Sequence, residues 1–530
     1  MRGVRLEAGG RRPERHGGGL SGAQLAIRVV APAAFRLGAV LASCMSPLAA
    51  LAADPPPADP ATTSATTTAP ATPPPAQPSS SGVDENALFG GDDAGTAPAA
   101  ITPPVAPPAA DAGESILGGP LTSDTTIQSL LGATSDRFAT GGKLYLRLDA
   151  SQTTDWDLPA TALASPDSLY LYVDGRPNDR LRAFVQAKLK HDFTLTDGVT
   201  TAYGTTEAVN TVSLDQLWLK FDVAKKVYLT VGDQKIKWGS GRFWNPTDFL
   251  NQQVLDPLAA YDLRPGVPLL KVHVPLQALG ANVYAIASLD QASTADQVGG
   301  AMRAEWAHGS TEIALEGALR KDQPLRLGAD ISTAIWLLDF HVEGAVRHGD
   351  TQNFWKGKLD LNTLSFPTSY SRKDDWIPQV TAGAQIGFNY SAEDAAYVGT
   401  EFFYNGSGYA SPSIYPWLLF EGQFQPFYLG QEYVAAYVFL PQPGPLKDEN
   451  FTASYLTNLS DGSMITRVDW SITVLTQMAL NVYTDYHFGH EGEFNFAVDI
   501  PAVSGVPGLE NGYSISPPSV DAGVGLTVAF

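Results

Sequence analysis

From Gly142 onward the chain alternates apolar and polar positions in segments of roughly ten residues, separated by turn residues, as expected of strands with one oily and one wet face. Lys143 to Ala150 reads as the first strand. Leu144, Leu146 and Leu148 share one face, and Lys143, Tyr145, Arg147 and Asp149 the other. A second strand, Leu169 to Val173, leads through the turn Gly175–Asp179 into a third. That strand sets Leu181, Ala183, Val185, Ala187 and Leu189 outward, against Arg182, Phe184, Gln186, Lys188 and Lys190 inward. A fourth lies near Leu214–Phe221. After the turn 222–226, a fifth runs to Trp238, with a bulge expected at Gly232 where the alternation slips. Further strands are predicted at 268–275, 281–289, 299–308, 311–320, 326–333, 335–347, 379–390, 396–405, 430–439, 449–459, 464–475, 478–489 and 520–530. The connections alternate between short turns and long loops such as 348–378, 406–429 and 490–519.

This pattern predicts an all-β fold: a closed antiparallel transmembrane β-barrel of about 18 strands (16–18) over 142–530. A multi-domain soluble β protein would also alternate. It would not account for two faces kept so distinct along the chain, nor for Tyr and Trp gathered near strand ends. Beyond the amino-terminal region no run of about 18 apolar residues occurs, which excludes a helical membrane protein. The last strand carries Val524, Leu526, Val528 and Phe530 on one face and Asp521, Gly523, Gly525 and Thr527 on the other. It resembles the closing strand of bacterial outer-membrane barrels. That resemblance implies a Gram-negative outer membrane, lipid around the barrel, and recognition of Phe530 by the barrel-insertion machinery.

A basic stretch ends at Arg36, Leu37–Leu51 is almost wholly apolar, and Ala50, Ala52 and Ala53 precede Asp54. Residues 1–53 therefore read as an export signal. Leu41-Ala42-Ser43-Cys44 also has the form of a lipoprotein cleavage box, with Cys44 as its anchor, but cleavage near Ala52 or Ala53 is expected. Residues 54–141 are rich in Pro, Ala and Thr and read as a disordered periplasmic tether. Two similar islands, Glu85–Gly91 and Glu114–Gly119, read as docking motifs or as chance in a biased composition, the latter preferred. The chain carries a net charge of −21 and a single cysteine. So acidic a body argues against a nucleic-acid partner, and one cysteine excludes a disulfide framework.

The richest stretch is Trp238-Gly239-Ser-Gly-Arg242-Phe-Trp-Asn245-Pro-Thr-Asp248-Phe-Leu-Asn251. A strand ending in Trp-Gly followed by Asn-Pro-x-Asp resembles a recurring pattern in Gram-negative outer-membrane barrel proteins. Gly328-Ala-Asp330, Asp339–Glu343 and Glu401-Phe-Phe-Tyr-Asn405 resemble downstream stretches of such proteins. Many members are uncharacterised, and related barrels include specific porins, polysaccharide-binding surface proteins and exporters. In trimeric general porins the loop at this ordinal position folds into the lumen. Its Trp, Phe, Pro and Asn content likewise suits a packed loop with a rigid, side-chain-capped turn at Asn245–Asp248. Residues 239–267 are thus expected to form a constriction loop carrying Arg242, Asn245, Asp248, Asn251, Asp256, Asp262 and Arg264. The alternative is a loop that only braces the rim.

Alternation also aims Lys143, Arg147, Arg182, Lys188, Lys190, Lys220, Lys235 and Lys237 at the lumen as a basic wall. Glu312, Glu316, Asp339 and Glu343 form an acidic wall, with Arg320 and Arg347 beyond it. Such walls would set a transverse field that draws in small anions, or simply solvate a wide interior. Asp485-Tyr-His487-Phe-Gly-His490-Glu491-Gly-Glu493 gathers imidazoles and carboxylates at a spacing that matches no metal motif, so no metal is expected. No Ser–His pair has a recognisable spacing, so no enzyme is expected, and no cofactor. The expected function is passive diffusion of small polar solutes, anionic ones included. The alternatives are a non-conducting protein that binds or exports polysaccharide, with Trp355, Tyr409, Tyr415 and Trp417 stacking on sugars, and an outer-membrane enzyme. Neither the solute nor the oligomeric state is legible.

Overall fold

The computed structural model describes residues 137–530, apart from 155–160, 197–207, 252–255, 260–263, 361–364, 393 and 502–511. The expected signal with Cys44, the tether up to 136, both islands and Asp262 lie outside the described residues.

Each expected strand is present, with bounds that differ in places. In chain order the strands are β1 (Phe138–Thr153), β2 (Ala162–Ala164), β3 (Pro166–Asn178), β4 (Leu181–Asp192), β5 (Asn210–Val223), β6 (Val227–Gln234), β7 (Val267–Leu276), β8 (Ala281–Ser288), β9 (Gly299–His308), β10 (Thr311–Leu319), β11 (Leu325–Ile335) and β12 (Leu338–His348). Then come β13 (Phe354–Lys356), β14 (Thr368–Tyr370), β15 (Trp376–Asn389), β16 (Ala395–Asn405), β17 (Glu432–Pro441), β18 (Glu449–Asn458), β19 (Ser463–Leu475), β20 (Met478–Gly489), β21 (Val498–Ile500), β22 (Tyr513–Ile515) and β23 (Pro518–Ala529). Eighteen of them close an antiparallel barrel, with β2 as an extra strand in the same sheet. The pairs β13–β14 and β21–β22 are small hairpins within long loops.

Closure is made by β1 against β23, in register from Lys143↔Ala529 to Ser151↔Asp521. Gly142 and Phe530 exchange backbone hydrogen bonds of 2.8 and 3.0 Å at the foot of this seam. A Cβ on Gly142 would stand 2.7 Å from the Phe530 ring, so the close approach requires glycine. Above Tyr145 the sheet forks. β1 leaves β3 and pairs with β2 instead, and the Asp167 carboxylate accepts the Arg147 backbone N–H at 2.7 Å. The fork has no counterpart in the hydrophobic pattern.

The outer face is apolar and exposed: Leu146, Leu148, Leu171, Leu217, Leu219, Leu315, Leu327, Val342 and Val398 all lie on it. Closure removes every unpaired barrel edge, and this belt meets hydrocarbon in place of water. Exposed Trp306, Trp336, Trp376 and Tyr390 sit at strand ends, where amphipathic rings suit a membrane interface. The long connections 235–266, 349–375, 406–431 and 490–517 all leave one end of the barrel. The turns 179–180, 224–226, 309–310, 336–337 and 476–477 close the other.

Three expectations need correction. The first strand begins at Phe138, ahead of Lys143. The fifth ends at Gln234 rather than Trp238, because the chain leaves the sheet there and turns inward. Gly232 has φ of 123°, yet its register with β5 and β7 runs on unbroken. The slip lies in β5 at Asp215, where pairing with β4 shifts between Gln186 and Ala187. A Cβ at Gly232 would lie 2.0 Å from the Leu217 carbonyl, so glycine absorbs the crowding through φ without an inserted residue.

Candidate functional site: a segment folded inside the barrel

The segment between β6 and β7 is pinned to distant strands by two inward carboxylates. Glu343 on β12, with no exposed surface, accepts the backbone N–H groups of Ser240 (3.1 Å), Gly241 (3.3 Å) and Thr247 (2.7 Å), and the Thr247 hydroxyl at 2.7 Å. Glu401 on β16 accepts those of Arg242 (2.8 Å), Phe243 (3.0 Å) and Trp244 (2.9 Å). Charge-assisted bonds of this kind are the stronger ones, and each also satisfies a buried amide. Gly239 has φ of 97°, and a Cβ there would lie 2.6 Å from both Glu343 oxygens. The Trp-Gly step is therefore a steric requirement for reaching the carboxylate.

Trp244 is fully buried and stacks on Phe403 of β16 at 5.3 Å, beside Tyr433 of β17 at 5.5 Å. Its indole N–H donates to the Phe427 carbonyl at 3.3 Å. Phe243, Leu258, Leu456, Ile465 and Phe494 complete this apolar cluster. Nearer its origin, Trp238, Phe249 and Leu250 pack on Leu269, Ile286 and Ala345. The segment thus runs from β6 across the interior to β16–β19 and returns to β7.

Of the expected loop residues, Arg242 is exposed, with its guanidinium 4.0 Å from the Tyr437 ring centre, and Asp256 is exposed too. Asn245, Asp248, Asn251 and Arg264 brace the loop. The Asn245 carbonyl accepts the Asp248 N–H at 3.1 Å, which makes the expected turn, although the carboxylate that caps it is Glu343 from the wall. Asp248 pairs with buried Arg264 at 3.0 Å and binds the Asn251 amide at 2.8 Å. Burial pushes the Asp248 carboxyl up, and Arg264 opposes the shift.

The basic-wall residues lie on β1, β4, β5 and the stretch just past β6, away from the strands to which the segment is pinned. Several carry partners. Arg147 bridges Asp149 (2.8 Å) and the Tyr483 hydroxyl (2.8 Å). Arg182 pairs with Asp174 at 3.0 Å and Lys235 with Asp215 at 2.9 Å. Lys188 lies 5.2 Å from the Tyr170 ring centre. Lys143, Lys190, Lys220 and Lys237 are half-buried, and Lys190, Lys220 and Lys237 each have contacts of their own. On the acidic wall Glu343 is occupied by the segment, and Glu316 is bound by Arg303 at 2.8 Å. Asp339 is half-buried and Glu312 exposed.

Sequence reasoning missed Arg303, the ion pair of Asp330 and the anchoring role of Glu401. Arg303 on β9 joins Glu305 (2.7 Å), Glu316 (2.8 Å) and Asp330 (2.9 Å). Strand alternation along β9, β11 and β16 is the signal that could have found them. A second cluster sets Arg467 against Asp469 and Asp485, each at 3.0 Å, over the Tyr483 ring at 3.8 Å.

At the long-loop end, a short helix α1 (Tyr415–Phe420) buries Tyr415 and Leu418 against Phe496, Val498 and Ile500. Tyr415 is thus closed to a sugar, and Trp355 and Trp417 pack edge to face on each other at 5.3 Å. The Asp485–Glu493 run is divided. His487 bonds the Phe494 carbonyl (2.6 Å) and Asp521 (2.9 Å). Glu493 accepts from Tyr433 (2.6 Å), Asn458 (2.7 Å) and the Leu429 N–H (3.1 Å).

A closed barrel with an apolar belt, a polar interior and its long loops at one end is an outer-membrane β-barrel. No family model and no curated protein matches the chain. Similar solved structures include a triple mutant of Rhodopseudomonas blastica porin (9% identity, 74% of this chain and 100% of that chain, TM-score 0.37). Pseudomonas aeruginosa OccK11 is another (8%, 74% and 96%, TM-score 0.43), and so is Pseudomonas aeruginosa OccK1 (10%, 75% and 100%, TM-score 0.43).

Proposed function

We propose that this barrel is a porin-like passive channel for small polar solutes, with a preference for anions. The observation that carries this reading is the inner segment held against β12 and β16 through Glu343 and Glu401. The segment narrows the lumen, and the acids beneath it are spent on backbone amides and Arg303. The remaining passage runs along β1, β4 and β5, whose six cations, Lys143, Arg147, Arg182, Lys188, Lys190 and Lys220, outnumber the four carboxylates of the same strands, Asp149, Asp192, Asp215 and Asp222. A low-dielectric wall focuses that positive potential on small anions.

Planar-bilayer recording of purified full-length protein tests this. Discrete conductance steps with an anion-selective reversal potential are expected. A protein that inserts and gives no steps refutes the channel, and a cation-selective potential refutes the anion preference alone. Deleting 240–264 should raise conductance, and unchanged steps would reduce the segment to a brace.

A further inference from the structure

On the inward face near the long-loop end, Arg326 on β11 and Arg347 on β12 are direct cross-strand partners. Side chains so paired start about 5 Å apart at Cβ, and like charges there repel. Their neighbours in the same row do not relieve this: Ala318 of β10 pairs with Arg326, and fully buried Ile377 of β15 with Arg347. Glu316, one inward position lower on β10, is bound by Arg303. Asp350 pairs with Arg347 at 2.5 Å. A third guanidinium, Arg372, comes in from the β12–β15 loop, held by Asp375 (3.0 Å) and the Gly406 carbonyl (2.7 Å).

The two strand arginines have donors to spare. Arg326 Nη1 donates to the Phe249 carbonyl of the inner segment at 3.1 Å, and Arg347 Nη2 donates to the Ser407 hydroxyl. The Arg347 Nε is buried and has no acceptor among the described residues. Two planar forks side by side, short of acceptors, suit the paired oxygens of an oxyanion.

We propose that Arg326 and Arg347 form a binding site for an oxyanion, a carboxylate or a phosphate group, at the junction of the β11–β12 wall and the inner segment. The site lies apart from the lysine-lined sector, and its existence does not require that the barrel conduct.

The test uses full-length protein in detergent, with heat-modifiable gel mobility to confirm that each variant is folded. Inorganic phosphate, succinate and, at matched ionic strength, chloride serve as probes in thermal melts and calorimetric titration. Saturable binding with a rise in Tm is expected for phosphate, succinate or both; which of them binds tells phosphate from carboxylate chemistry. Arg326→Gln relieves the repulsion, so its Tm without anion should equal or exceed that of the native chain, while its affinity falls at least about tenfold. Arg347→Lys keeps the charge but loses the fork, and should also weaken binding. The site is refuted if chloride raises Tm as much as the oxyanions, if neither oxyanion binds, or if Arg326→Gln binds as tightly as the native chain.

Discussion

Glu401 on β16 accepts the backbone N–H of Trp244 at 2.9 Å, joining a segment that leaves β6 to a wall strand far around the barrel. The same carboxylate takes the amides of Arg242 and Phe243 and meets His341 Nε2 at 3.0 Å. Glu401→Gln leaves one acceptor oxygen for three amides. It should lower stability by about 1–3 kcal/mol, the cost of orphaned buried donors. Thermal melting measures the loss, and single-channel records should become noisier as the segment loosens. Native melting together with native noise would show that the carboxylate does not anchor it.

Trp244 fills the pocket between Phe403, Tyr433 and Phe494. Trp244→Ala should cost about 3–5 kcal/mol, the range for deleting a buried large aromatic. The barrel ladders are untouched, so the variant should still show heat-modifiable mobility. A loss below about 1 kcal/mol would mean that the cluster does not secure the segment.

Lys188 and Lys190 lie on β4 and Lys237 just past β6, and the proposed anion path includes all three. Replacing all three with Gln should move the reversal potential in a salt gradient toward cation preference, with the shift largest at low ionic strength, where screening is weakest. An unchanged potential would assign these lysines to lumen solvation alone.

Glu493 lies in the loop after β20, and burial pushes its carboxyl up to about 7 from an ordinary 4.5, against the hydrogen bonds from Tyr433, Leu429 and Asn458 and with neighbouring Asp461 adding to the rise. The folded chain therefore keeps a proton that the unfolded chain has released between these values. The stability tied to this proton is full below about pH 4.5 and is lost as pH rises to about 7. Melting temperature against pH should fall across this window more steeply in the native chain than in Glu493→Gln. Parallel curves would contradict the assignment.

Much of the architecture was legible because a strand's period of two is written residue by residue. Leu144, Leu146 and Leu148 had to share a face, and a one-residue slip would have turned every apolar side chain into the lumen. The same arithmetic aimed Glu316, Glu343 and Lys188 inward. It could not say that Glu316 would meet Arg303, since the choice of partner depends on strand neighbours and rotamers. Nor could it place the end of β6 at Gln234, because Lys235 and Lys237 keep the alternation after the chain has left the sheet.

Local alternation, together with turn residues, thus determined by itself that this chain makes a closed barrel, which side chains face lipid, and which end bears the long loops. Those properties follow from covalent geometry and from the separation of oil and water. Tertiary structure alone decided that the Trp238–Asn251 stretch reaches Glu343 and Glu401, and that Arg326 stands beside Arg347. These contacts join residues distant in sequence, and their energies depend on distance and burial, which the order of residues does not state.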